Sequence, residues 1–219
     1  MENTAIGPRP VVNSQGQESL EMRSGQVEYL LVVYPLGDLR DRLLEEQQQF
    51  SVYYGLDRMD RGLQSMARNK PHITLAAFRA GEEVEDTLIR WIQRICNQQK
   101  NFEVALNNYS GIPPHTIYLR VQDPQPFREL MTQLRAIDDF VRPSGWPAPS
   151  DERVSLNNRP YLSIAGGLTE RVYNKAMPDY SRKTFHGVFK VDELVLLKRG
   201  HSFAPCKTVN IFRLLPEDN

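Results

Sequence analysis

The sequence predicts an α+β protein with antiparallel sheets. Three observations lead there. Segments with strand character alternate with amphipathic helices in the first two thirds, and then strands run together at the end. No strand is followed by a glycine-rich phosphate loop, and neither GxGxxG nor GxxxxGK[ST] occurs, which removes the doubly wound parallel folds. The 219 residues are 40% hydrophobic and 25% charged. That is an ordinary balance for a globular chain with ample material for a core.

Residues 1 to about 25 read as a polar tail, punctuated by Gly7, Pro8, Pro10, Gly16 and Gly25 and without a sustained apolar period. A single domain over 26–216 follows. Glu28 to Tyr34 is β-branched and aromatic and stops at Pro35, which predicts a buried strand. Leu36, Leu39, Leu43, Leu44 and Phe50 recur at helical spacing up to Gly55. A polar connector carrying Met59, Leu63 and Met66 leads to the alternating strand Pro71 to Phe78. Val84, Leu88, Ile92, Ile95 and Cys96 form a second helical face. Phe102–Leu106 and Thr116–Val121 predict strands joined by a loop with Gly111, Pro113 and Pro114. Phe127, Leu130, Met131, Leu134, Ile137 and Val141 give the strongest helical pattern in the chain. Residues 143–158 hold Pro143, Gly145, Pro147 and Pro149 and predict a structureless loop, either a binding loop or a connector. Pro160 to Gly166 is again a strand, Thr169 caps a helix to about Tyr180, and three strands close the chain at 185–191, 193–198 and 207–215.

Lys plus Arg and Asp plus Glu both number 27, so the formal charge is zero. That argues against a broad DNA-binding or other polyanion-binding coat. No apolar run approaches the ~18 residues of a membrane helix. No basic start or apolar h-region opens the chain, and the two cysteines, Cys96 and Cys206, form no CxxC. The expected compartment is therefore the cytoplasm, and both thiols are expected to pack as small buried hydrophobes. The four histidines, His72, His115, His186 and His201, lack zinc-site spacing, so no metal is expected.

One internal echo carries chemistry. Lys70-Pro-His-Ile-Thr-Leu-Ala-Ala77 and Arg159-Pro-Tyr-Leu-Ser-Ile-Ala-Gly166 align without gaps: basic residue, Pro, ring, aliphatic, hydroxyl, aliphatic, Ala, small. Residues i and i+2 of a strand share a face, so His72 with Thr74, and Tyr161 with Ser163, each offer one ring and one hydroxyl to the same side. Ile73, Leu75, Leu162 and Ile164 point into the core.

Pro-His-Ile-Thr-Leu resembles the HxT motif of the 2H phosphoesterases, the group of the bacterial 2′-5′ RNA ligase-like proteins and cyclic nucleotide phosphodiesterases. The resemblance runs from about Val27 to Arg213. It implies a two-lobed, pseudo-symmetric fold around a central cleft, with helices outside and one histidine and one hydroxyl residue from each lobe. It also implies acid/base attack on a phosphodiester or cyclic phosphate with no metal or other cofactor. The implied ligands are a small phosphate compound, a nucleotide or an RNA end. His72, Thr74, Tyr161 and Ser163 then become the candidate catalytic residues, and Tyr34 and Tyr118 candidate contacts to the substrate's base.

The chain departs from that pattern at Tyr161, where the second histidine belongs. A phenol, with a pKa of ~10, is a poor base at neutral pH but can donate a hydrogen bond or a proton. Two functions are therefore expected to compete: an enzyme weakened by loss of one histidine, and a binding module that holds a nucleotide or RNA end without turnover. A third, contact through the surface of the 143–158 loop or the tail, stays open. Lys70 and Arg159 precede the motifs and read as strand-end charges.

Overall fold

The computed structural model describes residues 26–56, 70–135, 155–157, 159–200 and 204–217. The tail, the connector with Met59, Leu63 and Met66, and residues 136–154 with Ile137 and Val141 lie outside them. Among the described residues there are nine strands: β1 Gln26–Val33, β2 Ile73–Gly81, β3 Phe102–Ile112, β4 Thr116–Val121, β5 Ser155–Leu156, β6 Tyr161–Ala165, β7 His186–Val191, β8 Glu193–Arg199 and β9 Lys207–Arg213. Four α-helices accompany them there: α1 Gly37–Tyr54, α2 Glu85–Cys96, α3 Gln125–Leu134 and α4 Glu170–Tyr180.

The strands join into one curled antiparallel sheet in the order β7-β3-β4-β6-β2-β1-β8-β9, with β5 added on β2. The two expected lobes are the halves of this sheet. One is β2-β1-β8-β9 and the other β6-β4-β3-β7, so the motif-bearing strands β2 and β6 are neighbours at its centre. The order is non-sequential because β8 and β9, late in the chain, complete the first half.

Burial follows the alternation read from the sequence. Ile73, Leu75 and Leu162 are 0% exposed, whereas His72, Thr74, Tyr161 and Ser163 are half-buried. The main core gathers Leu31, Val33, Leu43, Phe127, Leu196 and Phe212 with these aliphatics. A separate small cluster, Val32, Val195 and Leu197 with Leu30, Tyr34 and Cys206 against it, occupies the other face of the first half-sheet.

Helix α1 runs four residues beyond Phe50, because Gly55 takes a left-handed φ of 71° and its N–H closes the last turn on Val52. The loop with Pro113-Pro114 is shorter than expected: β3 continues through Gly111 to Ile112, and only residues 113–115 turn. Within 143–158 the structure finds order at β5, which pairs with Ala76 and Ala77 of β2. Helix α4 begins where Thr169 predicts, its hydroxyl accepting from the Val172 N–H at 3.4 Å. Thr169→Ala is expected to cost about 1 kcal/mol, the usual value of a lost N-cap, read as a lower urea midpoint with unchanged slope.

Candidate active site

The register of β2 on β6 assembles the site. Ile73 pairs with Leu162, and continuing the antiparallel register by one residue either way sets His72 beside Ser163 and Thr74 beside Tyr161. The motifs therefore meet crosswise, in one surface, rather than facing each other from separate sheets. All four side chains line a single cavity of about 320 Å³. That is the size range of small-ligand sites.

The likeness of the two motifs extends into the backbone. On β1 the register passes from Val32↔Thr74 to Leu31↔Ala76, skipping Leu75. On β4 it passes from Tyr118↔Ser163 to Ile117↔Ala165, skipping Ile164. Each motif thus carries an extra residue just after its hydroxyl, a bulge that bends the strand and frees backbone groups from the ladder. Side-chain amides take up those groups. Asn157 Nδ2 donates to the Thr74 carbonyl at 3.1 Å, and Gln47 Nε2, from α1, donates to the Ser163 carbonyl at 2.9 Å. Asn157 N–H also reaches the Leu75 carbonyl at 2.9 Å.

His72 is held in one tautomer. Its Nδ1 lies 2.8 Å from the Lys70 carbonyl. A carbonyl can only accept, so the neutral ring carries its proton on Nδ1 and keeps a lone pair on Nε2. Burial pushes the imidazole below its ordinary value; the Lys70 hydrogen bond pulls it up, and the Arg199 charge pushes it down. The net direction is down, which keeps His72 neutral and basic near pH 7.

Tyr161 is shifted the other way. Burial, then the neighbouring Tyr118, raises its phenol above the ordinary value, so it stays protonated and able to donate. The rings of Tyr118 and Tyr161 lie 4.7 Å apart at 43°. Tyr118 touches the site through this contact and does not itself line the cavity. Tyr34 does line it, edge-on to His72 with centroids 6.0 Å apart, and burial raises its phenol too.

Several cavity residues carry no signal in the sequence. Arg199 lines the wall, and Gln47 comes from a helix with no motif; Lys70, read from the sequence as a strand-end charge, lines the cavity as well. Cys206, expected in the core, is half-buried and reaches the cavity, while Cys96 is buried as expected, its thiol pushed up to about 12. Arg159 is exposed, and His115 sits at the β3–β4 turn near the Leu168 carbonyl. His201 lies outside the described residues.

The strands form a curled antiparallel sheet with the two hydroxyl-bearing motifs at its centre, and residues 32–202 match the model of the 2′-5′ RNA ligase superfamily. The chain belongs to that superfamily. Among solved structures it is similar to Escherichia coli LigT complexed with 3′-AMP, at 16% identity and a TM-score of 0.56, covering 87% of this chain and 99% of that one. It is also similar to TT0787 of Thermus thermophilus, at 16% identity and a TM-score of 0.52, covering 87% and 100%. No curated protein matches it significantly. Among the described residues no helix is long and apolar enough to cross a membrane.

Proposed function

We propose that this chain is a single-histidine phosphoesterase that opens a cyclic phosphate on a nucleotide or RNA end. The observation that carries the reading is the crosswise pairing of the two motifs, with one imidazole, one phenol and two hydroxyls around one small cavity. His72 Nε2 takes a proton from the attacking water. The water oxygen bonds to phosphorus, the P–O bond to the ribose breaks, and Tyr161 gives its proton to the departing alkoxide. The imidazolium then returns a proton to the phenolate through water. Thr74 and Ser163 donate to the phosphoryl oxygens, where charge grows in the transition state. LigT has been crystallised with 3′-AMP and with NADP+, which supports a nucleotide as the ligand of this cavity.

A phenol raised above its ordinary value is a slow acid, though one closer in basicity to an alkoxide than an imidazolium is. The expected enzyme is therefore weak. The second reading, a module that binds without turnover, is favoured by the packing of Tyr161 on Tyr118, which restrains the phenol.

The test is hydrolysis of 2′,3′-cyclic nucleotides by the purified protein across pH. The groups that line the cavity with His72 include the cations Lys70 and Arg199 and the neutral Tyr34, Tyr161 and Cys206. The base must be neutral, and its pKa is lowered. So kcat/KM falls only as pH drops through a value below the ordinary imidazole ~6.5. An acid limb centred above that value removes His72 as the base. Tight binding with no turnover leaves the second reading.

A further inference from the structure

The last turns of α1 separate the His72 cavity from a second, larger hollow. Phe50 and Ser51 line the one, Val52 and Tyr53 the other. The second hollow lies where α1 meets the end of α4 and measures about 760 Å³. Its wall is aromatic and apolar, from Val52, Tyr53, Tyr54 and Tyr180, with the carboxylates of Glu45 and Asp179 beside them. Glu45, Val52 and Tyr53 stand at i, i+7 and i+8, which puts them on one face of α1.

Three features make this hollow attractive to positive charge. The first is the rings. Tyr53 and Tyr54 meet edge to face, with centroids 4.8 Å apart at 78°, and Tyr180 lies 6.4 Å from Tyr54 at 51°. Ring faces are the negative part of an aromatic quadrupole. The second is the helix ends. Both α1 and α4 finish here with no basic residue in the last turn, so the negative ends of two helix dipoles are left without a cation there. The third is the carboxylates, which hold only uncharged partners. The Gln49 amide donates to Glu45 at 3.1 Å and the Tyr54 hydroxyl to Asp179 at 2.9 Å, and among the described residues neither carboxylate forms an ion pair.

The chain answers this field in part with its own cations. Lys183 Nζ lies 4.2 Å from the centroid of the Tyr180 ring, but Glu46 neutralises it at 3.0 Å. Lys175 Nζ lies 5.9 Å from the centroid of Tyr54, near the outer limit of such a contact. Tyr53 is 70% exposed and carries no cation among the described residues. We propose that this hollow is a second ligand site, distinct from the His72 cavity, and that it takes a small molecule with a quaternary ammonium group. Such a group is cheap to dehydrate, its methyls suit Val52 and the rings, and it needs no hydrogen-bond acceptor. A primary ammonium is strongly hydrated and gains less there. Lys175 and Lys183 on the α4 side repel a basic peptide, which favours a free molecule.

The test is a titration of the full chain with choline and with its neutral isostere 3,3-dimethylbutan-1-ol, followed by amide NMR shifts. Choline is expected to bind with a Kd of ~1–10 mM, and the isostere at least about tenfold more weakly. The shifts are expected to cluster at residues 45–54 and 179–183. Tyr53→Leu keeps an apolar side chain without a ring face and is expected to weaken choline about tenfold, whereas Tyr53→Phe keeps the affinity. The exposure of Tyr53 means that the fold tolerates both changes. Lys175→Met removes the internal competitor and is expected to tighten choline several-fold. Equal binding of the isostere, an affinity unchanged in Tyr53→Leu, shifts confined to the His72 cavity, or no saturable binding overturns the site. Tighter binding of a peptide containing trimethyl-lysine than of choline overturns the small-molecule assignment.

Discussion

His72→Ala is expected to lower kcat/KM for a 2′,3′-cyclic nucleotide by about 10²- to 10⁴-fold, the usual worth of a positioned general base. The loss is expected to fall on kcat, because the contacts proposed for Thr74 and Ser163 do not involve the ring. The fold is expected to tolerate the change. His72 precedes β2 and is half-buried, and its hydrogen bond is to a carbonyl two residues back. Thermal melting of the variant checks that point, and steady-state kinetics beside ligand titration separates turnover from binding. Unchanged turnover in a well-folded His72→Ala protein would rule out the role assigned to this residue.

Tyr161→His is expected to do the reverse and raise turnover, by a factor in the same ~10²–10⁴ range. The position is already prepared. It adjoins Thr74 across the β2–β6 register, the bulge after Ser163 repeats the one after Thr74, and Gln47 holds the Ser163 carbonyl as Asn157 holds that of Thr74. The pH profile is expected to change form as well. With His72 alone the rate shows one limb on the acid side; with a second imidazole acting as acid it becomes bell-shaped near neutrality. A fall in activity would mean that the natural phenol has a proton-transfer task that imidazole performs worse, and would overturn the view of Tyr161 as a weakened acid.

The local part of this site was legible in the sequence. Period-two alternation around His72 and Tyr161 fixed which side chains share a face, and the burial of Ile73 and Leu162 agrees with it. The helix starting after Thr169 and the three closing strands were legible for the same reason: their signals are confined to a few adjacent residues. What the sequence hid is long-range. Nothing in residues 193–213 announces that β8 and β9 return to flank β1, so Arg199 and Cys206 could not be set beside His72. Gln47 lies on the polar side of a charged helix and looks like any solvated glutamine until the Ser163 carbonyl is brought to it. The neighbouring positions of β2 and β6 were hidden too. An internal echo implies related halves, but only strand pairing tells whether they are joined edge to edge.

That edge-to-edge join has a directional consequence. Two equivalent halves would let a ligand enter in either of two orientations related by a half-turn about the Ile73–Leu162 pair. With imidazole and guanidinium both on one half, and paired phenols on the other, the half-turn is broken. On the proposed mechanism, only one ligand polarity would set the attacking water beside Nε2 and the departing oxygen beside the phenol, so a ligand bound backwards would sit in the groove unreacted.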